Sequence, residues 1–314
     1  MRPKEEVMMM ERFSITSADG KTALVAYRLI PAEPRAMLQI SHGMCEYFLR
    51  YEGFAEYLAE RGILVFGHDH LGHGSTATSE QDLGFTVKGG GARVLAEDVH
   101  NLSLKMKKQY PGLPLILLGH SMGSFIARAV AEKYPTTYRA VIFSGTGGPD
   151  IPANLGRWLA GGMMLFCTER HRSKLMRSIS FAGYNKKYER GCDKNAWLSR
   201  DAAVVDAYNA DPQCGFVFTL RGYYDLFTLV ARVSRVEWAE HMKKDLPILL
   251  VSGEMDPVGS WGKGVRRVAE RLEKAGVSDV TLSLYPEMRH EALNELGKEQ
   301  VWSDIAEWID RKLQ

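Results

Sequence analysis

The chain has 314 residues, 45% hydrophobic and 25% charged, with 40 basic against 38 acidic side chains. That is enough for a large folded core with an inserted segment, and it excludes a disordered, highly charged chain. A formal net charge of +2 excludes a strong field for nucleic acid, and no run approaches the 18 apolar residues of a membrane span. The four cysteines, Cys45, Cys167, Cys192 and Cys214, are scattered without metal-like spacing, which suggests a reducing compartment. The N-terminus is basic but lacks the apolar centre of a leader, since Val7 to Met10 is too short. A cytoplasmic location is the expectation.

Residues 11–17 and 23–30 alternate polar and apolar around Ala18-Asp19-Gly20, and Asp-Gly predicts an antiparallel hairpin. Ala36 to Ile40 reads as a short strand, followed by Ser41-His42-Gly43-Met44. Phe54, Tyr57 and Leu58 share one helix face, and Gly62 ends that helix. Ile63 to Phe66 is another buried strand, and Gly67 to Ser75 is a loop rich in glycine and histidine. After Gly89-Gly90-Gly91, the stripe Val94, Leu95, Val99, Leu102 and Met106 predicts a helix to about Lys108. Leu115 to Leu118 and Ala140 to Phe143 read as buried strands flanking a helix that stops near Tyr134-Pro135. Residues 146–245 break the alternation and read as mainly helical. A strand (Pro247 to Val251), a helix (Val265 to Ala275), a strand (Val280 to Tyr285) and a last helix carrying Trp302, Ile305, Ile309 and Leu313 complete the chain.

Strands alternating with helices predict a mostly parallel sheet with helices on both faces. An antiparallel start, a parallel body and a late helical insertion match the α/β-hydrolase plan. Residues 1–145 and 246–314 would then form the core, and 146–245 a helical cap over the carboxyl ends of the strands, where ligands bind in open α/β sheets.

Chemistry concentrates at Gly119-His120-Ser121-Met122-Gly123. By itself this G-x-S-x-G string arises by chance in roughly one chain in ten of this length. With a strand before it and a helix after it, it reads as a nucleophile elbow with Ser121 at the apex. A serine hydroxyl is a weak nucleophile and needs a base, which in turn needs an orienting acid, in the order Ser, acid, His along the chain. After the strand that follows the insertion stand Glu254 and Asp256-Pro257. Asp256 fits, with Glu254 as its competitor. His290 follows the final strand and is the only histidine beyond residue 241. Two backbone N–H groups, of Met44 and Met122, fall where an oxyanion hole is expected.

The strings His42-Gly43-Met44-Cys45-Glu46 with Arg50-Tyr51, Gly67-His68-Asp69-His70-Leu71-Gly72-His73-Gly74-Ser75, Gly119 to Gly123, Gly253 to Pro257 and His290-Glu291 span most of the proposed core. In these the chain resembles the monoacylglycerol lipase and lysophospholipase branch of the α/β-hydrolases, also catalogued with serine aminopeptidases. The resemblance implies catalysis by Ser121, Asp256 and His290, an oxyanion hole at Met44 and Met122, and Glu46 with Arg50 as a polar pair at the alcohol end of the pocket. It implies cleavage of carboxylic esters, such as monoacylglycerols or lysophospholipid-like lipids, through an acyl-enzyme that needs no metal or organic cofactor. An aminopeptidase or amidase is the rival, using Glu46 or cap carboxylates for a substrate ammonium. Small or aromatic esters are a further alternative, and a non-catalytic binding protein is the rival outside enzymes.

Within the insertion, Trp158, Met163, Met164 and Phe166 lie in an apolar Met- and Gly-rich stretch, expected to line the acyl pocket. The basic residues Arg170, Arg172, Lys174 and Arg177 follow, so the cap is also a candidate for transient contact with a lipid surface. Phe216, Phe218, Tyr223, Tyr224 and Phe227 read as core. The histidines at 68, 70 and 73 read as parts of a structural loop with Asp69 bonding its own turn, not as a metal site. Cys45 adjoins the expected oxyanion residue, so thiol reagents are expected to inhibit.

Overall fold

A computed structural model describes residues 9–149 and 151–314. The N-terminal stretch read above for a leader therefore lies, over residues 1–8, outside the described residues. The strands are β1 (Glu11–Thr16), β2 (Ala23–Leu29), β3 (Ala36–Ser41), β4 (Ile63–His68), β5 (Leu115–His120), β6 (Ala140–Ser144), β7 (Ile248–Gly253) and β8 (Val280–Tyr285). They form one sheet in the order β1-β2-β4-β3-β5-β6-β7-β8. β1 pairs antiparallel with β2, and β2 with β4; every other pairing is parallel. At the hairpin, the Asp19 carboxylate accepts from the N–H groups of Lys21 and Thr22, and Gly20 takes φ +80°. This is the Asp-Gly turn that the sequence predicts.

Strands β3 to β7 are buried along their whole length, as their unbroken apolar runs require when both faces are covered. One face packs on α1 (Glu52–Ala59) and α10 (Lys298–Leu313). In α10, Val301, Ile305, Trp308 and Ile309 recur at helical spacing and are buried. Each contributes about 1.5–3 kcal/mol by leaving water. The other face packs on α2 (Gly91–Gln109), α3 (Met122–Lys133) and α9 (Lys263–Lys274).

Between β6 and β7 the chain adds α4 (Ala153–Met163), α5 (Lys174–Ser180), α6 (Ala202–Ala210), α7 (Leu220–Val233) and α8 (Val236–His241). The helix α7 packs on α4 and reaches α2 and α3. Its partner α8 touches α3 and α9, where Trp238 is buried against the Arg128 guanidinium. The eight-stranded, mostly parallel sheet with this helical cap is the α/β-hydrolase fold. It places the loops after β3, β5, β7 and β8 at one end of the sheet, beneath the inserted helices.

Candidate active site

Ser121 stands between β5 and α3 with φ +52° and ψ −119°. A non-glycine residue there costs on the order of 1–3 kcal/mol and persists only when its surroundings hold it. Here Ser121 N–H donates to Ser144 O at 2.9 Å, and Ser121 O accepts from Ser124 N–H and Oγ. The flanking glycines are a steric demand. A Cβ on Gly119 would lie 2.2 Å from Gly123 O, and one on Gly123 would lie 1.9 Å from Ser41 O. Strand β5, helix α3 and the end of β3 therefore meet at distances only glycine allows.

The loop after β7 buries Asp256 completely. Its Oδ1 accepts from Val258 N–H at 2.8 Å and lies 3.0 Å from His290 Nδ1. Glu254 instead turns outward toward Arg266, so Asp256 rather than its competitor meets the imidazole. His290 is buried on the loop after β8, with its N–H on Trp197 O and its ring 5.0 Å from that of Trp197. Burial pushes the His290 pKa down, but the Asp256 carboxylate together with Glu291 and Glu46 outweighs it, and the imidazole stands above its ordinary value. His120, with its ring 4.8 Å from that of His290, is held neutral by burial and by that neighbour.

Met122 is the first residue of α3, so its N–H has no intrahelical acceptor and points out of a helix N-terminus. The Met44 N–H belongs to the peptide that carries Gly43 O. His70 N–H donates to His42 Nε2 at 2.9 Å, which leaves the His42 proton on Nδ1, 2.8 Å from Gly43 O. Gly43 N–H donates to Glu46 Oε1. Both polar groups of Gly43 are thus held, and in a trans peptide the Met44 N–H points opposite to the restrained carbonyl.

These groups share one cavity of about 120 Å³. Gly43, Met44, His120, Ser121, Met122 and His290 form its floor. Phe125, Ile151, Leu226, Phe227 and Val230 make an apolar end, and Phe181, Tyr184 and Trp197 of the cap roof it. Glu46 and Glu291 are its two carboxylates. Both are spent on Arg50, whose Nη1 lies 2.8 Å from Glu46 Oε2 and 2.7 Å from Glu291 Oε1, with Nη2 2.7 Å from Glu291 Oε2. Burial opposes the charge on Arg50, yet Glu291 and Glu46 together hold its pKa above the ordinary value.

The serine aminopeptidase S33 family model matches residues 32–297. The chain belongs to this family of α/β-hydrolases. Among relatives of this S33-family chain, human monoglyceride lipase is 30% identical over 302 residues, covering 95% of this chain and 90% of that protein. A monoacylglycerol lipase of Mycolicibacterium smegmatis is 30% identical over 294 residues, covering 88% and 89%. The crystal structure of a thermostable carboxyl esterase from Bacillus coagulans, in complex with glycerol, is similar with a TM-score of 0.92 at 29% identity, covering 98% and 100%.

The fold of this S33-family chain brings Ser121, His290, Met44, Met122 and Glu46 to the cavity, with Asp256 behind His290. It does not bring four of the expected wall residues there. Trp158 and Phe166 are 67% and 90% exposed, and Met163 and Met164 are half-buried against the core away from the cavity. The cause is that α4 packs on α7 through its small residues: Ala153 and Ala160 are buried, and a Cβ on Gly156 would lie 2.7 Å from Phe227. The large apolar side chains then face outward. Arg50 is a second correction: it stands behind Glu46 as a buried clamp and is not itself on the cavity wall. Cys45 is a third. Its thiol is buried and burial pushes its pKa well above the ordinary value, so the reactive thiolate is suppressed. Sequence reasoning missed Glu291 as the partner of Arg50 and His42 as the support of the Gly43 peptide. Their only signal was position, next to His290 and Gly43.

The histidine-rich loop is folded into the interior. His68, His70 and His73 are buried, and desolvation lowers all three pKa values, to about 3 for His68 and about 4 for His73. Asp69 Oδ2 accepts from Ser75 N–H at 2.7 Å within its own turn, and Oδ1 from Phe48 N–H at 2.9 Å.

Proposed function

We propose that this carboxylic ester hydrolase cleaves lipid esters with a single acyl chain, monoacylglycerols first among them, through an acyl-enzyme on Ser121. The observation that carries the reading is the convergence of Ser121 and His290 in one apolar-ended cavity, with Asp256 3.0 Å behind the imidazole. His290 takes the Ser121 proton as Oγ attacks the ester carbonyl. The N–H groups of Met44 and Met122 stabilise the oxyanion. His290 then protonates the leaving alcohol, and water repeats the cycle to release the acid. Asp256 fixes the tautomer and stabilises the charged imidazole. The names of the relatives, monoglyceride lipase and monoacylglycerol lipase, support the substrate class.

The aminopeptidase alternative needs a carboxylate free to receive an ammonium. Glu46 and Glu291, the two on the cavity wall, are both committed to Arg50, which disfavours it. Transient contact of the cap with a lipid surface has support in Leu155, Trp158, Leu165 and Phe166, four exposed large apolar side chains within twelve residues of it. Among the described residues no helix is long and apolar enough to cross a membrane.

The test is hydrolysis of 4-nitrophenyl esters from acetate to palmitate and of monoacylglycerols, by wild type and Ser121→Ala. Loss of about 10⁶ in kcat in the variant is the expected result. Equal turnover by the two proteins, or failure of a fluorophosphonate to label Ser121, overturns it.

A further inference from the structure

A second cavity, of about 440 Å³, lies against the first. The two share Cys45, Phe181, Trp197 and Tyr208 as a common wall. Their charges differ in kind. The catalytic cavity has two carboxylates and no lysine or arginine on its wall, whereas the second has Lys174, Arg177 and Lys194 and no carboxylate. None of these three cations forms a salt bridge with a described residue. Asp193, next in sequence to Lys194, accepts from Asn195 N–H at 2.7 Å and also lies close enough to Lys194 to feel its charge. With three cations and no carboxylate on its wall, and only Asp193 beside Lys194 to offset them, the site keeps a net positive potential.

We propose that this second cavity binds an anionic group, phosphate or carboxylate, carried by the ester or by its hydrolysis product. The inference rests on the ester-hydrolase reading and narrows its substrate. A neutral alcohol has no reason to pass the Tyr208 wall. A phosphorylated alcohol finds no free cation on the first cavity's wall, where Arg50 is committed to Glu46 and Glu291, and is drawn to Arg177 on the wall of the second. A released fatty acid carries the same charge and meets the same cations. Arginine, half-buried and forked, supplies the directional bonds to either oxyanion, and the two exposed lysines supply charge.

The test compares kcat/KM for a 1-acylglycerol 3-phosphate with that for the neutral 1-acylglycerol of the same chain, in wild type and in Arg177→Gln, Lys194→Gln and the double variant. The ratio of anionic to neutral kcat/KM is expected to fall about tenfold in the double variant. Because it is a ratio within one preparation, partial misfolding does not move it. Inhibition of 4-nitrophenyl butyrate hydrolysis by glycerol 3-phosphate and by decanoate separates the sources. Weakened inhibition by the phosphate assigns the cavity to the alcohol side, and weakened inhibition by decanoate assigns it to the released acid. An unchanged ratio together with unchanged inhibition by both probes overturns the proposal. A wild type that hydrolyses no ester fails the functional reading instead, and that failure is distinct.

Discussion

Replacing Arg50 by methionine tests whether one buried cation holds the two halves of the site in register. Arg50 makes three charge-assisted hydrogen bonds of 2.7–2.8 Å to two carboxylates. Its side chain is 11% exposed, and those of Glu46 and Glu291 are 3% and 4%. Glu46 Oε1 receives Gly43 N–H and the Tyr51 hydroxyl, and Glu291 follows His290 with its own N–H on Leu198 O at 2.8 Å. Arg50 thus ties the oxyanion loop, the histidine loop and the cap together, and its guanidinium lies 5.0 Å over the Tyr208 ring. Removing one member of a buried ion pair costs about 3–5 kcal/mol, because the remaining charge is left without its partner. At roughly 2 °C per kcal/mol for a chain of this size, the melting temperature should fall by roughly 6–10 °C.

The pH dependence of that deficit is the sharper readout. Burial already raises the Glu46 pKa against the opposing pull of Arg50. Without Arg50 the folded-state Glu46 pKa rises further. The folded chain then binds more protons than the unfolded one above about pH 4.3, the ordinary glutamate value, and stability falls as pH rises. The Tm gap between Arg50→Met and wild type should widen from pH 5 to pH 8, as followed by scanning calorimetry. Displacing the oxyanion loop by even an ångström should also lower kcat by about 10². Arg50→Lys, charged but not forked, should fall between the two. A variant that melts within 2 °C of wild type, with a flat gap and an unchanged kcat, refutes the clamp.

Three further outcomes follow from the same geometry. Asp256→Asn should lower kcat by about 10⁴. It should also move the acid limb of kcat/KM downward, because the carboxylate that holds His290 above its ordinary pKa is gone while the burial that lowers it remains; a pH–rate profile whose acid limb stays put contradicts this. Gly123→Ala sets a Cβ 1.9 Å from Ser41 O and should abolish soluble expression, whereas Gly162→Ala, in α4 with nothing within 4 Å, should be neutral or stabilising by up to about 1 kcal/mol, as thermal melts will show. Iodoacetamide at neutral pH should modify the partly exposed Cys167 and Cys192 while leaving Cys45 and ester turnover untouched, and mass spectrometry of the inhibited or active protein decides it.

How far the sequence could be read depends on whether a residue's surroundings are local or distant. That Ser121, Asp256 and His290 come together was legible because each sits just past a strand whose apolar run marks it, and because the glycines around Ser121 answer a backbone contact that no side chain could tolerate. The hairpin was legible through Asp19-Gly20, whose turn closes on itself. The cap is different. Its α4 segment is apolar on both sides, so composition cannot say which side is inward. The choice is made by α7, more than fifty residues later, whose Phe227 takes the groove offered by Gly156 and so turns Trp158 outward. The cavity wall then falls to Ile151, Phe181, Trp197 and Leu226, residues with no shared spacing. Glu46 shows the same logic in polar form. As a lone acid near the nucleophile it invites the role of substrate ligand. Only the buried guanidinium between Glu46 and Glu291, which are 245 residues apart, makes it a structural anchor for the Gly43 peptide, so in this fold the loops that carry Gly43 and His290 are placed by the chain nearby and held in register by contacts across it.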